Sequence, residues 1–194
     1  MSTMTLGSLR EFVRRFTVMI ERDPDEPAVL AEGGALLKTL IDTEDWLPDY
    51  CAQPSDQHYQ QYLLHCDPLE RFSVVSFVWG GGQQTPIHNH TVWGLVGVLQ
   101  GAEISTGYTV DDAGSLVEGP ANRLARGEIE TISPAAGDIH RVMNAYSDRT
   151  SISIHVYGAN IGRVQRSVFR PGQRVDFISG YANILLPNIW GNAS

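Results

Sequence analysis

The stretch GQQTPIHNHTVWGLVGVLQG, residues 82–101, decides how the chain folds. Gly82 opens it as a turn, and His88 and His90 are separated by one residue, so that on a strand both side chains point to the same face. Two neighbouring imidazoles on one face can converge on a single cation at about 2.0–2.1 Å each. The run Trp93 to Gln100 is then apolar and rich in Val and Leu, and Gly101 closes it, which is the pattern of a buried strand ending in a turn. A second block, Gly127, Pro134, Gly137, His140 and Asn144, again sets a lone histidine just after a glycine turn at the start of a strand. Alone, either histidine element is as readily structural as metal-binding.

Outward from this stretch the texture is β. Phe72 to Trp79, Glu103 to Val110, Glu128 to Ile132 and Thr150 to Tyr157 are short runs rich in Val, Ile, Thr and aromatic residues. Gly- and Pro-containing turns separate them, which predicts an antiparallel sandwich or barrel. The first third instead repeats apolar residues at 3.6-residue spacing: Leu9, Phe12, Val13, Phe16, Met19 and Ile20 form one face of a helix. Ser8 and Glu11 have capping-box spacing at its start, and Asp23-Pro24 ends it. A weaker helix is expected from about Pro27 to Ile41, interrupted by Gly33 and Gly34. The expectation is a single domain over 1–194, with residues 1–50 a mainly helical lead-in and 60–180 the barrel.

The 194 residues carry 14 Lys+Arg against 22 Asp+Glu, a net charge of −8, so a polyanion such as nucleic acid is repelled overall. Cys51 and Cys66 make no CxxC pair and no disulfide framework, which suits reduced thiols in a cytoplasmic protein. No apolar run reaches the 18 or so residues of a membrane span. Arg10, Glu11, Arg14 and Arg15 break up any secretory signal at the N-terminus.

Ser153-Ile154-His155-Val156-Tyr157 is the third constellation. Positions i, i+2 and i+4 of a strand share a face, so hydroxyl, imidazole and phenol can form a hydrogen-bonded row. No carboxylate flanks it to orient the histidine and no nucleophile-elbow glycines surround Ser153, which argues against a serine hydrolase. The alternative is a plain polar strand face; the alternation with Ile154 and Val156 does not say which side is buried. His58 and His65 fall in the connection before the first expected strand and read as structural. Cys66 reads as a buried small hydrophobe. Trp79 and Trp93 read as barrel packing, with Trp93 close enough to His90 to wall a pocket.

Together the histidine blocks resemble the two motifs of the cupin superfamily, Gly-x5-His-x-His-x3,4-Glu-x6-Gly and Gly-x5,7-Pro-x-Gly-x2-His-x3-Asn. Gly82, His88, His90 and Gly101 match the first; Gly127, Pro134, Gly137, His140 and Asn144 match the second. Gly94 stands where the pattern has glutamate, and Pro134 and Gly137 are separated by two residues rather than one. The resemblance implies a mainly β fold, a double-stranded β-helix (jelly-roll) barrel with an N-terminal helical segment, holding a metal on His88, His90 and His140. Without the glutamate, three neutral imidazoles leave a divalent ion its full charge, which suits a substrate that brings its own anionic ligand such as a thiolate.

With Ser-x-His-x-Tyr added, the segment Tyr59 to Arg170 is similar to the thiol dioxygenases of the cysteine dioxygenase type. Gln61 to Asp67 and His88 to Gly94 look like the bacterial 3-mercaptopropionate dioxygenase branch. Cysteine dioxygenases carry an arginine where Gln61 stands, and the mammalian ones a cysteine at the Gly94 position that crosslinks to the tyrosine matching Tyr157; neither is present. The resemblance implies Fe(2+) as cofactor, a small thiol and O2 as substrates, and a sulfinate as product. It implies Ser153, His155 and Tyr157 as catalytic groups, and Arg166, with Arg163 as the other register, beside Gln61 for the substrate carboxylate. No nucleic-acid or membrane partner is implied, and a monomer or weak homo-oligomer is expected. The competing expectations are a cysteine dioxygenase acting on L-cysteine, a non-catalytic metal-binding cupin, and a zinc or manganese cupin hydrolase or isomerase.

Overall fold

A computed structural model describes residues 6–112, 114–170 and 172–191. Helices α1 (Gly7–Ile20) and α2 (Glu26–Leu40) come first. Eleven strands follow: β1 (Gln60–Cys66), β2 (Ser73–Trp79), β3 (Ile87–His88), β4 (Gly94–Gln100), β5 (Ala102–Val110), β6 (Leu116–Ala125), β7 (Ile129–Ile132), β8 (His140–Asn144), β9 (Ser151–Tyr157), β10 (Arg166–Arg170) and β11 (Gln173–Phe177). They make two antiparallel sheets, β1-β2-β9-β4-β7 and β11-β10-β3-β8-β5-β6. Consecutive strands repeatedly cross from one sheet to the other, which is the winding of a double-stranded β-helix, and the expected mainly β barrel with its helical lead-in is what forms.

The centre of the five-stranded sheet, β2, β9 and β4 up to Leu99, is buried on both faces. Val74, Val78, Leu95, Leu99, Ile152, Ile154 and Val156 look outward and pack under Leu9, Phe12 and Phe16 of α1 and Leu37 and Leu40 of α2. Val75, Phe77, Trp79, Val96 and Tyr157 look into the barrel. Hence β2 and β9 are buried at every position. The apolar half of the Ser153–Tyr157 alternation faces the helices, and its polar half lines the barrel interior. Gly33 lets α2 approach: a Cβ there would lie 2.9 Å from the Phe16 ring and 3.0 Å from Leu95.

Several local expectations are corrected. α1 begins at Gly7 with Leu6 before it and no side-chain cap; Ser8 lies inside the first turn, and Glu11 pairs with Arg14 at 2.9 Å instead of reaching back. The side-chain cap is on α2, where the Asp25 carboxylate accepts from the Ala28 N–H at 3.0 Å. His65 is part of β1 rather than a connection, and Cys66 is half-buried. Cys51 is the buried thiol, pushed up to about 12 by desolvation. Trp93 packs toward Phe16 of α1, ring centroids 6.2 Å apart, and so walls the helix side and not the barrel interior. No helix among the described residues is long and apolar enough to cross a membrane.

Candidate metal centre and its pocket

Three short elements bring the histidines together. β3 supplies His88, whose strand partners are His140 of β8 and Val168 of β10. β3 ends at His88, so His90 reaches the same point by a bend and not by strand alternation. The bend is held from outside: the Asp138 carboxylate accepts from the backbone N–H groups of His90 and Thr91, 2.7 Å each, and Thr91 sits at φ 63. Ring centroids of the three histidines are 4.8–4.9 Å apart. Their ligand atoms lie within 4.8 Å of one another, and no carboxylate among the described residues joins them. Each donor needs to move inward by less than about 1 Å to reach a metal–nitrogen bond of about 2.1 Å.

The rings are prepared as neutral ligands. Burial is the main cause that lowers all three; it brings His88 to about 4, with the Arg166 charge adding, and puts His90 and His140 well below the usual imidazole value, with repulsion from neighbouring histidines adding. His88 directs Nδ1 at the Pro86 carbonyl, 3.0 Å away, and His140 directs Nδ1 at the Ser105 hydroxyl, 3.3 Å away, which fixes both ring orientations. His90, 1% exposed, keeps a buried Nδ1 with no hydrogen-bond partner. Three neutral donors around a shared point, one with an orphaned nitrogen, fit a divalent transition-metal ion.

The expected row on β9 is present. Ser153 Oγ lies 2.7 Å from His155 Nε2, and His155 Nδ1 lies 2.8 Å from the Tyr157 hydroxyl. Phe77 stacks on the His155 ring at 4.0 Å, and the Trp79 indole N–H donates to Ser153 Oγ at 3.2 Å. Tyr157 in turn stacks on His90, centroids 5.4 Å apart, which ties the row to the histidine cluster. Burial lowers His155 to about 3 and raises the Tyr157 phenol, so both stay neutral near pH 7. Gly94 makes room for that phenol: a Cβ there would meet the Tyr157 ring at 3.0 and 3.1 Å.

Beside His88 lies a cavity of about 300 Å³ lined by Gln61, Thr85, Arg166 and Ser179 among others. Arg166 is 4% exposed, donates to Ser179 Oγ at 2.7 Å, stacks over Phe177 at 4.8 Å and leaves Nε without a partner. The Gln61 Oε1 is buried and unpartnered too. Arg163, by contrast, lies on the surface beside Glu70, 3.6 Å away, and does not line this cavity. Val175 to Gly191 thus acquires a role in the fold: Phe177 and Ser179 hold Arg166, and Asn183 clamps the Leu63 backbone of β1; residues 192–194 lie outside the described residues. A second cleft of about 360 Å³ borders His140 on its other side, but no cation lines it.

Sequence reasoning passed over Asp138, Ser105 and Glu103. Asp138 sits two residues before His140, between the turn glycine and the ligand, which is where a carboxylate can tie down the opposite loop. Ser105 and Glu103 looked like ordinary residues of an expected strand, and nothing in their spacing set them apart.

No protein-family model matches the chain. Among solved structures, it is similar to an uncharacterised conserved protein with a double-stranded β-helix domain from Klebsiella pneumoniae, at 21% identity over 58% of this chain and 87% of that one, TM-score 0.43. It is also similar to an RmlC-like cupin protein from Desulfovibrio desulfuricans, at 22% identity over 55% and 89%, TM-score 0.38. Oxalate oxidase in complex with glycolate aligns at 16% identity over 54% and 53%, TM-score 0.42. In this chain His88, His90 and His140 form a cluster that could bind a metal.

Proposed function

We propose that this protein is an iron-dependent thiol dioxygenase that converts a small thiol carboxylate, 3-mercaptopropionate in first place, into its sulfinate. Iron, when held by His88, His90 and His140, supplies the redox chemistry by which both atoms of O2 end on the substrate sulfur. The observation that carries the substrate class is the cavity beside His88, where a buried guanidinium with an unpartnered Nε and a buried amide with an unpartnered Oε1 both wait for a ligand. Arg166 supports a carboxylate by charge-assisted hydrogen bonds, and Gln61 adds a neutral contact.

The same cavity disfavours cysteine. No carboxylate among the described residues lines it, so an α-ammonium would be buried without a counter-charge. 3-Mercaptopropionate lacks that group and incurs no such cost. Tyr157, kept neutral by burial and aligned through His155 and Ser153, stacks on His90 and so carries its phenol to the edge of the histidine cluster.

The test is oxygen uptake by purified protein with 3-mercaptopropionate, L-cysteine and cysteamine, plotted against iron content. Uptake proportional to iron, with kcat/KM for 3-mercaptopropionate at least tenfold above that for L-cysteine, is expected. A preference for L-cysteine makes it a cysteine dioxygenase, and iron binding with no uptake makes it a metal-binding cupin. Activity that follows zinc or manganese with no thiol dependence points to a hydrolase or isomerase.

A further inference from the structure

The cavity beside His88 lies between the two sheets, and each sheet brings it a different chemistry. One wall belongs to the five-stranded sheet. Gln61 of β1 pairs across to Phe77 of β2, so the two side chains share the barrel face. The opposite wall belongs to the six-stranded sheet. Val168 of β10 is the strand partner of His88, and Arg166 stands two residues, about 7 Å, further along the same face. Thr85 precedes β3 and is pinned twice to Val142 of β8: its N–H donates to the Val142 carbonyl at 2.8 Å, and its Oγ1 accepts from the Val142 N–H at 3.0 Å.

Hydrogen-bonding capacity is left over on both walls. Arg166 carries donors only; one is bound to Ser179, and Nε is buried without a partner. Thr85 is 4% exposed, and its hydroxyl, which accepts from Val142, donates to no acceptor among the described residues. Gln61 Oε1 is the reverse case, a buried acceptor that receives nothing. The cavity therefore holds an anion clamp, a spare hydroxyl proton and a spare carbonyl oxygen, and no carboxylate among the described residues lines it.

We infer that the cavity is shaped for a three-carbon thiol acid with a hydroxyl at C2, 2-hydroxy-3-mercaptopropionate, and that Gln61 and Thr85 are the specificity-determining residues that read the C2 substituent. The inference rests on the thiol dioxygenase reading for its substrate class and goes beyond it in the group at C2; 3-mercaptopropionate is the parent of the class and stays ahead of cysteine. With the carboxylate on Arg166 and the sulfur end toward His88, C2 falls between the walls. A hydroxyl there gives its proton to Gln61 Oε1 and accepts that of Thr85. The hydrogen of 3-mercaptopropionate does neither, and both buried groups stay unsatisfied. The ammonium of cysteine donates to Gln61 but offers Thr85 no lone pair. It also sets a second cation near the Arg166 guanidinium with no counter-charge on the walls. The order is hydroxyl, then hydrogen, then ammonium. One net hydrogen bond corresponds to about fivefold in affinity. Because Gln61 and Thr85 stand on opposite walls, one enantiomer reaches both and the other does not.

The test is calorimetric titration of the purified protein under argon, where no turnover occurs. The probes are 3-mercaptopropionate, each enantiomer of 2-hydroxy-3-mercaptopropionate, and L-cysteine. One enantiomer is expected to bind at least about fivefold more tightly than 3-mercaptopropionate, with L-cysteine the weakest of the set. Gln61→Met keeps the length of the side chain and loses its carbonyl, and should bring the ratio between that enantiomer and 3-mercaptopropionate below about twofold. Gln61→Glu supplies the missing counter-charge and should lift L-cysteine above 3-mercaptopropionate. Should Gln61→Met fail to fold, Thr85→Val gives the same ratio from the other wall. Equal binding of the hydroxy and parent acids by wild type, no binding of either, or a ratio unchanged in the variant overturns the inference. The titration consumes no oxygen. A protein that binds in the expected order yet shows no uptake would sink the dioxygenase and leave the C2 reading standing; uptake with equal binding would do the opposite.

Discussion

Replacing Arg166 by glutamine separates charge from shape at the pocket. The side chain is 4% exposed, so solvent screens its pairing with a carboxylate little. Truncating one partner of a buried, hydrogen-bonded charge pair costs about 2–5 kcal/mol. The lower half of that range applies here, because Gln61 shares the ligand and the new amide retains a donor. About 2–3 kcal/mol corresponds to a loss of roughly 30- to 150-fold in kcat/KM. Stability moves the other way. Arg166 has a single side-chain hydrogen bond, to Ser179, and burial lowers its pKa, so removing this under-compensated charge leaves Tm unchanged or raises it. The assay compares 3-mercaptopropionate with its neutral amide on iron-loaded wild type and variant. The preference for the acid over the amide should collapse by the stated factor while the amide changes little. Equal losses on acid and amide, or a change below about threefold on the acid, would refute the carboxylate role.

Gly94→Ala forces its new methyl to 3.0 Å from the Tyr157 ring, which is held at 2.8 Å from His155; overpacking of this kind costs about 1–3 kcal/mol, read as a lower Tm together with a reduced kcat. Asp138→Ala frees the His90 and Thr91 backbone, and iron affinity measured by chelator competition should fall about 10- to 100-fold with the fold intact by circular dichroism. Glu103 gives a pH signature. Its folded pKa of about 7 lies above the unfolded value near 4.5, so the folded state holds the extra proton, and its contribution to stability is complete below about 4.5 and lost as pH rises through 7. Denaturant unfolding should show wild type losing up to about 3 kcal/mol between pH 5 and 8 relative to Glu103→Gln. Parallel curves would exclude the raised pKa.

The strands that carry the barrel were legible because Val, Ile and aromatics cluster in β2, β4, β5, β7 and β9. β1 reads QQYLLHC and β6 reads LVEGPANRLA, with neither β-branched density nor clean alternation; backbone pairing with β2 and β5 makes them strands. The helix start was misplaced because capping-box spacing recurs wherever a serine precedes a glutamate by three, and here Arg14 captured the glutamate. His88, His90, His140 and the Ser153–Tyr157 row could be picked out because their chemistry is rare in a strand. Which side of β9 is wet could not, since both faces are buried and helices α1 and α2 take the apolar one. Asp138 acts on His90 and Thr91 across a long separation in the chain, and single-sequence periodicity carries no record of such contacts.

The order in which the pocket is assembled follows from where its parts lie along the polypeptide. All three histidines have emerged from the ribosome by residue 140, but the strands that hold them together include β9 and β10, and Arg166 is braced by Phe177 and Ser179, which emerge last. Proteolytic trimming back to about residue 176 would remove Phe177 and Ser179 and leave Arg166 unbraced, which under the proposed function is a fault visible in KM sooner than in ion content.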